Sequence, residues 1–177
     1  MSNNEANKVT KESICIALIN IMEKKNFEEI TISEIVRKAG VSRQSFYRNY
    51  DRKEDIIVEV EDAILSSFVE SLNKPLFKKN PRLWLQEVFS FSANNRSLIE
   101  TLHKANLMDV LFEKLPFIVE DKVKEHSTIM HYRIVGNIGA LKATILEWVA
   151  TGMKESSSEM ADICINCGLG NDINIFG

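Results

Sequence analysis

Four long polar side chains lie close together in one six-residue stretch of the sequence. They are Arg43, Gln44, Tyr47 and Arg48. An arginine can pair with guanine through two parallel hydrogen bonds, and a glutamine can do the same with adenine. Tyrosine, serine and lysine commonly contact phosphate oxygens. These residue types in one run therefore indicate hydrogen bonding to a nucleic acid.

An Ala-Gly-Val turn comes directly before this stretch, and helix signals stand on either side of it. Thr31 and Glu34 have the spacing of a capping box, which predicts a helix from about Ile32. Gly40 can adopt the left-handed conformation in which such a helix ends. Ser42 is a good cap for a second helix. Two short helices joined in this way form a helix-turn-helix.

Apolar residues predict which side of the second helix is buried. Phe46 and Tyr50 lie one helical turn apart, and Ile35 and Val41 have the spacing to meet them in a small core. The four polar side chains named above are then left to face outward. The stretch thus combines an anchoring side with a side suited to a groove of DNA.

Two more residues that could contact DNA lie at predicted helix starts, where free amides and the helix dipole attract phosphate. Thr31 precedes the first of the two short helices. Lys53 lies at the start of a long helix, which a capping box of Asp51 and Glu54 opens and which runs to about Leu72. We expect both to contact phosphate.

The net charge of −3 conceals an asymmetry between the two ends of the chain. Residues 1–53 hold ten lysines and arginines against seven acids, so the remaining 124 residues are acidic. A basic head on an acidic body favours a polyanionic partner for the head alone. A solvated charged surface is the alternative interpretation.

The remaining sequence is typical of helices. It has capping residues, helix-breaking residues, and apolar residues spaced three and four positions apart throughout. The prediction is an all-α protein of about nine helices, with a three-helix DNA-binding head (residues 1–51) and a larger ligand-binding and dimerisation body (residues 52–177). Predicted helices beyond the head and the long helix cover about 81–93, 95–102, 107–124 (with a kink or break at Pro116), 129–151 and 158–167.

The stretch from Ala17 to Ile56, with its "AGVS" turn, adjacent "FY" and a following lysine, resembles the DNA-binding head of the TetR family of bacterial transcription regulators. Residues 132–167 also resemble the end of many bodies in that family. The resemblance implies a DNA operator as partner and pairing of the last two long helices with those of a second copy. It places the following residues on the DNA: Thr31, Ser42, Arg43, Gln44, Ser45, Tyr47, Arg48, Asn49 and Lys53.

An apolar stripe with three-and-four spacing runs along the last long helix, and small residues interrupt it. We predict a homodimer through this region, because one helix-turn-helix reads only a few base pairs. A stripe within the core of one chain is the alternative. The predicted interface residues are Ile134, Ile138, Leu141, Ile145, Trp148, Met160 and Ile163.

An effector pocket is harder to read from the sequence. Apolar and aromatic residues of the middle helices could line a cavity between helices, although most such residues are ordinary core. Since no cluster of charged residues accompanies them, an apolar or amphipathic effector is favoured. The candidates are Trp84, Phe89, His103, Met108, Phe112 and His131.

Catalytic and metal chemistry find little support. Phosphate loops, nucleophile elbows and zinc-protease motifs are absent from the sequence, so we expect no enzyme and no cofactor. Cys164 and Cys167 form a lone C-x-x-C, which is a weak metal signal, and three cysteines do not suggest disulfides. Without a signal core or a long apolar run, we expect a cytoplasmic protein without a membrane partner.

The sequence therefore predicts a sequence-specific DNA-binding transcriptional regulator. We expect it to be a ligand-responsive repressor that binds a palindromic operator as a dimer. An adaptor or co-activator on the same fold, which contacts a protein and ignores small ligands, is the alternative. The outward set of residues 43–48 favours DNA, since an adaptor has no need of base-reading side chains.

Overall fold

Every element in the described part of the chain is helical, which confirms the all-α prediction. The computed structural model describes residues 3–72, 80–120 and 127–169. These residues form nine α-helices and one short 3-10 turn, Phe27–Glu29. The α-helices are α1 Asn3–Met22, α2 Ile32–Ala39, α3 Arg43–Tyr47, α4 Lys53–Leu72, α5 Pro81–Asn94, α6 Arg96–Lys104, α7 Met108–Glu120, α8 Thr128–Ala150 and α9 Ser157–Asn166.

The chain divides into two compact units, Met1–Ala63 and Ile64–Gly177. The division falls within α4, whereas the sequence predicts the domain boundary at the start of that helix, between residues 51 and 52. Ile56, Ile57 and Val60 of α4 are buried and belong to the first unit, which we call the head. We call the second unit the body.

Local capping explains most helix ends, with one correction at α4. The carboxylate of Asp55, and not that of Glu54, accepts hydrogen bonds from the backbone N–H groups of Asp51 (3.1 Å) and Arg52 (2.8 Å). Because α4 begins at Lys53, the third helical residue is Asp55. The N–H of Arg52 is the main reason why the pKa of Asp55 lies below its ordinary value.

Two other helices differ from their predicted limits. Apolar residues at three-and-four spacing predict the first helix only over about residues 10–24, but α1 begins at Asn3. The first residues of α1 are mainly polar and show no apolar face, so the sequence pattern does not reveal them. α7 continues through Pro116 without ending there. The predicted end of α7 near residue 124 lies outside the described residues.

In the body, α5 packs on α9, while α6 and α7 pack on α8. Arg82 of α5 joins α9 through a two-pronged ion pair with Asp162, with N···O distances of 2.6 and 2.8 Å. Phe89 of α5 meets Trp148 of α8 edge to face, with ring centroids 5.3 Å apart. These contacts build a body core from buried aliphatic and aromatic residues of every helix from α5 to α9.

Candidate nucleic-acid interface

The turn between α2 and α3 has the geometry that the sequence predicts. The capping box is present: the Thr31 hydroxyl accepts from the N–H of Glu34 (3.3 Å), and the Glu34 carboxylate accepts from the N–H of Thr31 (2.9 Å). Gly40 ends α2 at φ +69°, a conformation that disfavours a side chain. The Ser42 hydroxyl accepts from the N–H of Ser45 at 3.0 Å and so begins α3.

Buried rings hold α3 from behind. Phe46 is fully buried, and its ring lies 5.9 Å from that of Tyr50 and 5.4 Å from that of Tyr47. The Tyr50 hydroxyl donates to Glu59 of α4 at 3.0 Å, and burial raises the pKa of Tyr50. Lys11 of α1 forms an ion pair with the same carboxylate. Through Tyr50 and Glu59, α3 (the recognition element) is therefore supported by both α1 and α4.

The four predicted groove-facing side chains are exposed. Arg43, Gln44 and Arg48 are open to solvent, and Tyr47 retains 56% of its accessible surface despite its aromatic ring. An exposed tyrosine beside exposed arginines is suited to contact a polyanion. This side of the head is the candidate nucleic-acid interface.

The C-terminal end of the recognition element differs from the expectation. α3 ends at Tyr47, Arg48 is its C-cap, and Asn49 lies in the following turn. The Asn49 amide donates to the carbonyl of Ser45 at 2.8 Å, and the Ser45 hydroxyl bonds that of Ser42 at 2.9 Å. Ser42, Ser45 and Asn49 thus have local structural roles, and any DNA contact by them stays a prediction.

One residue of this interface escaped the sequence analysis. Ser33 of α2 is exposed, and its hydroxyl accepts a hydrogen bond from the guanidinium of Arg43. The two residues are ten positions apart, and only the folded turn brings them together. Arg37, one helical turn after Ser33, is also exposed. A serine in a helix carries no signal of this role in the sequence.

The two predicted phosphate contacts both have internal partners. The ammonium of Lys53 donates to three backbone carbonyls of the turn before α2, and the hydroxyl of Thr31 donates to Glu34 at 2.8 Å. The Lys25 ammonium is the first cause that lowers the pKa of Glu34 to about 2, followed by the Thr31 N–H and hydroxyl. Glu34 is therefore an anion at neutral pH.

The body contains a separate apolar cavity. Its empty volume is about 910 Å³, and this value includes the part that is open to solvent. No charged side chain lines it within the described residues, and the hydroxyl of Ser92 donates to the carbonyl of Val88 at 2.9 Å. The lining residues are Ile64, Leu65, Phe68, Val69, Trp84, Phe91, Ser92, Ile99, Met108, Phe112, Leu115, Ile118, Val119, Ile138, Leu141 and Ile145.

Three predicted pocket residues lie on this wall and three do not. Trp84, Met108 and Phe112 line the cavity. Phe89 instead packs in the core against Trp148. His103 and His131 are exposed, and His131 pairs with Glu120 of α7. The two histidines lie on the outer sides of their helices. A list of aromatic residues does not show on which side of a helix each residue lies, so the prediction missed this.

The predicted dimer stripe lies mostly inside the body. Ile134 is 1% exposed, and Leu141, Ile145, Trp148 and Met160 are also buried; Ile138 is half-buried, and Ile163 alone of the seven is well exposed, at 44%. The structure thus supports the alternative of a core stripe for most of these residues. The opposite side of α8 is exposed and carries small residues: Gly136, Gly139, Ala140 and Ala143.

The cysteines and helices offer no further site in the described ranges. Burial, then the charge of Cys167, raises the pKa of the Cys164 thiol to about 11. Among the described residues, no three possible metal ligands lie close enough together to form a metal site. In the same residues, no helix is long and apolar enough to cross a membrane.

Comparison with known proteins agrees with this geometry. Residues 17–60 match the family model described as "Bacterial regulatory proteins, tetR family". A search of curated proteins gives no significant match. The match covers α2 and α3 completely, together with the adjoining parts of α1 and α4.

Three solved structures share the fold over almost the whole chain. The TetR transcriptional regulator from Streptococcus agalactiae 2603V is 17% identical, with a TM-score of 0.68 over 94% of this chain and 97% of that one. FadR from Bacillus subtilis in complex with stearoyl-CoA is 20% identical, with a TM-score of 0.59 over 92% and 98%. The dihydroxyacetone kinase operon activator DhaS is 19% identical, with a TM-score of 0.56 over 89% and 93%. At these identities the likeness establishes the fold.

Proposed function

Because the chain carries the N-terminal DNA-binding domain of the TetR family, we propose that it is a sequence-specific transcriptional regulator. In this proposal it binds a palindromic operator in the cytoplasm as a homodimer, represses transcription there, and responds to a small ligand. The observation that carries the proposal is the exposed set Arg43, Gln44, Tyr47 and Arg48 on a helix-turn-helix that buried rings support from behind.

Base reading would begin at the first residues of α3. Arg43, pre-oriented by Ser33, has further guanidinium donors for a guanine edge, while Gln44 suits adenine. Arg37 and Arg48 are exposed, and their side chains have no hydrogen-bond or ion-pair partner in the part of the chain that the structure describes. We assign them to phosphate contact, which supplies affinity without sequence preference.

Dimerisation would use the exposed side of α8. Gly136, Gly139, Ala140 and Ala143 allow close approach of a second helix, and no atom of the chain lies within 4 Å of the place that a side chain at either glycine would occupy. Ile163 of α9 is also apolar and exposed, and in this proposal it joins the same interface. Two heads related by a two-fold axis would then read two inverted half-sites.

The ligand would occupy the apolar cavity of the body. Its walls offer no charged partner within the described residues, and burial of an unpaired charge is costly. A neutral or weakly polar ligand, or the apolar chain of a larger one, therefore fits best. The FadR relative is solved with stearoyl-CoA, whose acyl chain has this chemistry. We expect the ligand to act by binding the DNA-free shape more tightly than the bound shape.

Selection of bound sequences from a random duplex library, followed by affinity measurement on the selected site, tests the proposal. We expect a site of two inverted half-sites, and an affinity that falls steeply with salt. Gln44→Ala should change the preference at one base pair per half-site by about 1–3 kcal/mol. Selection that yields no common sequence would refute sequence-specific binding. Binding of a protein partner without DNA would favour the adaptor.

A further inference from the structure

The ammonium of Lys53 is fully engaged by backbone carbonyls. It donates to the carbonyl oxygens of Phe27 at 2.7 Å, Glu28 at 3.0 Å and Ile30 at 3.0 Å. A lysine ammonium has three N–H donors, so these three bonds use all of them. The nitrogen also lies 4.6 Å from the centre of the Phe27 ring, within the range of a cation–π contact.

These carbonyls belong to the connection that sets the start of α2. Phe27 and Glu28 form part of the 3-10 turn, whose carbonyl end carries partial negative charge. Ile30 directly precedes Thr31, the cap of α2. Lys53 is the first residue of α4. Its side chain therefore fastens the first turn of α4 to the entry of the helix-turn-helix.

A phosphate would meet obstacles at this place. It would have to replace carbonyls that already bind the half-buried ammonium. At the neighbouring helix start, the N–H and hydroxyl of Thr31 are both bonded by one oxygen of Glu34, at 2.9 and 2.8 Å. That carboxylate, with its lowered pKa, would repel a second anion.

We propose that Lys53 is a positioning residue of the DNA-binding head, which orients α2 and through it α3, and that it does not neutralise a phosphate. The inference rests on the proposed DNA binding and specifies how one of its residues acts. Loss of Lys53 should then disturb base reading, which needs exact placement of α3, more than it disturbs non-specific attraction to DNA.

The test compares Lys53→Met with the wild type on the selected operator and on an unrelated duplex, over a range of salt concentrations. Measurements are made well below the thermal transition of each protein, with circular dichroism to verify folding. We expect the operator dissociation constant to rise about tenfold, the order expected for a lost base contact. The dissociation constant for the unrelated duplex and the salt slope should stay as in the wild type.

Lys53→Arg provides a second variant, since it keeps the charge but spreads its donors over a planar fork, which does not match three carbonyls that converge on one nitrogen. We expect it to lose operator preference as Lys53→Met does, and it decides the question alone if Lys53→Met does not fold. Arg52→Met is the matched control, because Arg52 is adjacent and exposed, and its side chain binds Asp55 instead of the turn. Its operator preference should stay as in the wild type.

Two results would overturn the inference. A phosphate contact would weaken both duplexes together in Lys53→Met, lower the salt slope by about 0.9, and leave Lys53→Arg like the wild type. A role in bulk stability alone would leave every folded variant with wild-type affinities. A wild type that binds no duplex would instead refute the proposed function, and the inference with it.

Discussion

The guanidinium of Arg43, the first residue of α3, donates a hydrogen bond to the hydroxyl of Ser33, near the start of α2. The bond crosses the turn at Gly40 and ties the recognition element to the helix before it. Because both residues are exposed, the bond holds Arg43 at the surface where DNA would lie. An arginine that is oriented before binding loses less conformational freedom when it contacts a base.

Ser33→Ala should weaken operator binding by about 0.5–1.5 kcal/mol, the usual contribution of one hydrogen bond, without loss of folding. Fluorescence anisotropy with a labelled operator measures the change. In an Arg43→Ala background the same substitution should have no effect, because the two residues act together. Ser13→Ala is the control, since the Ser13 hydroxyl bonds only its own helix at Val9. Equal effects of Ser33→Ala in both backgrounds would separate Ser33 from Arg43.

Acid should weaken the head through Glu34. Its pKa is about 2 in the folded state against an ordinary value of 4.5, chiefly because the Lys25 ammonium donates to it. A carboxylate with a lowered pKa stabilises the fold fully above its unfolded pKa and loses that contribution as pH falls towards the folded pKa. Glu34→Gln should therefore lower the melting temperature at pH 7, and the difference from the wild type should shrink between pH 4.5 and pH 2.

Melting curves followed by circular dichroism at several pH values measure this effect. Glu28→Gln is the matched control, because Glu28 is exposed and its side chain bonds no neighbour in the described ranges. It should leave the melting temperature nearly unchanged at every pH. A difference between Glu34→Gln and the wild type that stays constant down to pH 2 would contradict the assigned role of the Glu34 charge.

A charge on the outer side of α8 should break the proposed dimer. Ala140→Glu places two carboxylates close to the two-fold axis without touching the buried side of the helix. We expect the dimer dissociation constant to rise by about a hundredfold or more, since like charges brought together at an interface cost several kcal/mol. Light scattering at increasing protein concentration measures it. Lys104→Glu on the exposed end of α6 is the control, and equal dimerisation of both variants would exclude this side of α8.

The body cavity should prefer a neutral ligand to an acid of the same length. We expect decanol to bind about tenfold or more tightly than decanoate, because the cavity wall offers the carboxylate no charged partner among the described residues. Fluorescence of Trp84, which lines the cavity, reports binding, and Trp84→Phe removes that signal. Ser92→Ala should change neither affinity, since its hydroxyl already bonds Val88. Tighter binding of decanoate would show a cationic partner at the cavity.

The head was largely predictable because its signals are local. The Thr31–Glu34 capping box, the glycine at the end of α2 and the Ser42 cap each depend on residues within four positions, and all are present in the structure. The spacing of Phe46 and Tyr50 likewise identified the buried side correctly. Regular caps and short turns leave the chain few alternatives there.

Some features that the sequence does not reveal depend instead on distant residues. A lysine at a helix start predicts attraction to phosphate, but the carbonyls that bind Lys53 lie more than 20 residues earlier in the chain. Likewise, an apolar stripe such as Ile134–Leu141 does not reveal whether its own body or a second copy covers it. Periodicity identifies a buried side, and only the packed structure identifies what buries it.

The position of the division within α4 also determines what an isolated head would need. A fragment cut at residue 51 would lack Ile56, Ile57 and Val60, and the hydrophobic interior of the head would be left open to water. A fragment extended to Ala63 keeps them, together with Lys53 and Glu59. Such a peptide of 63 residues is small enough for solution NMR, where the resonances of α3 could be followed directly while DNA is added.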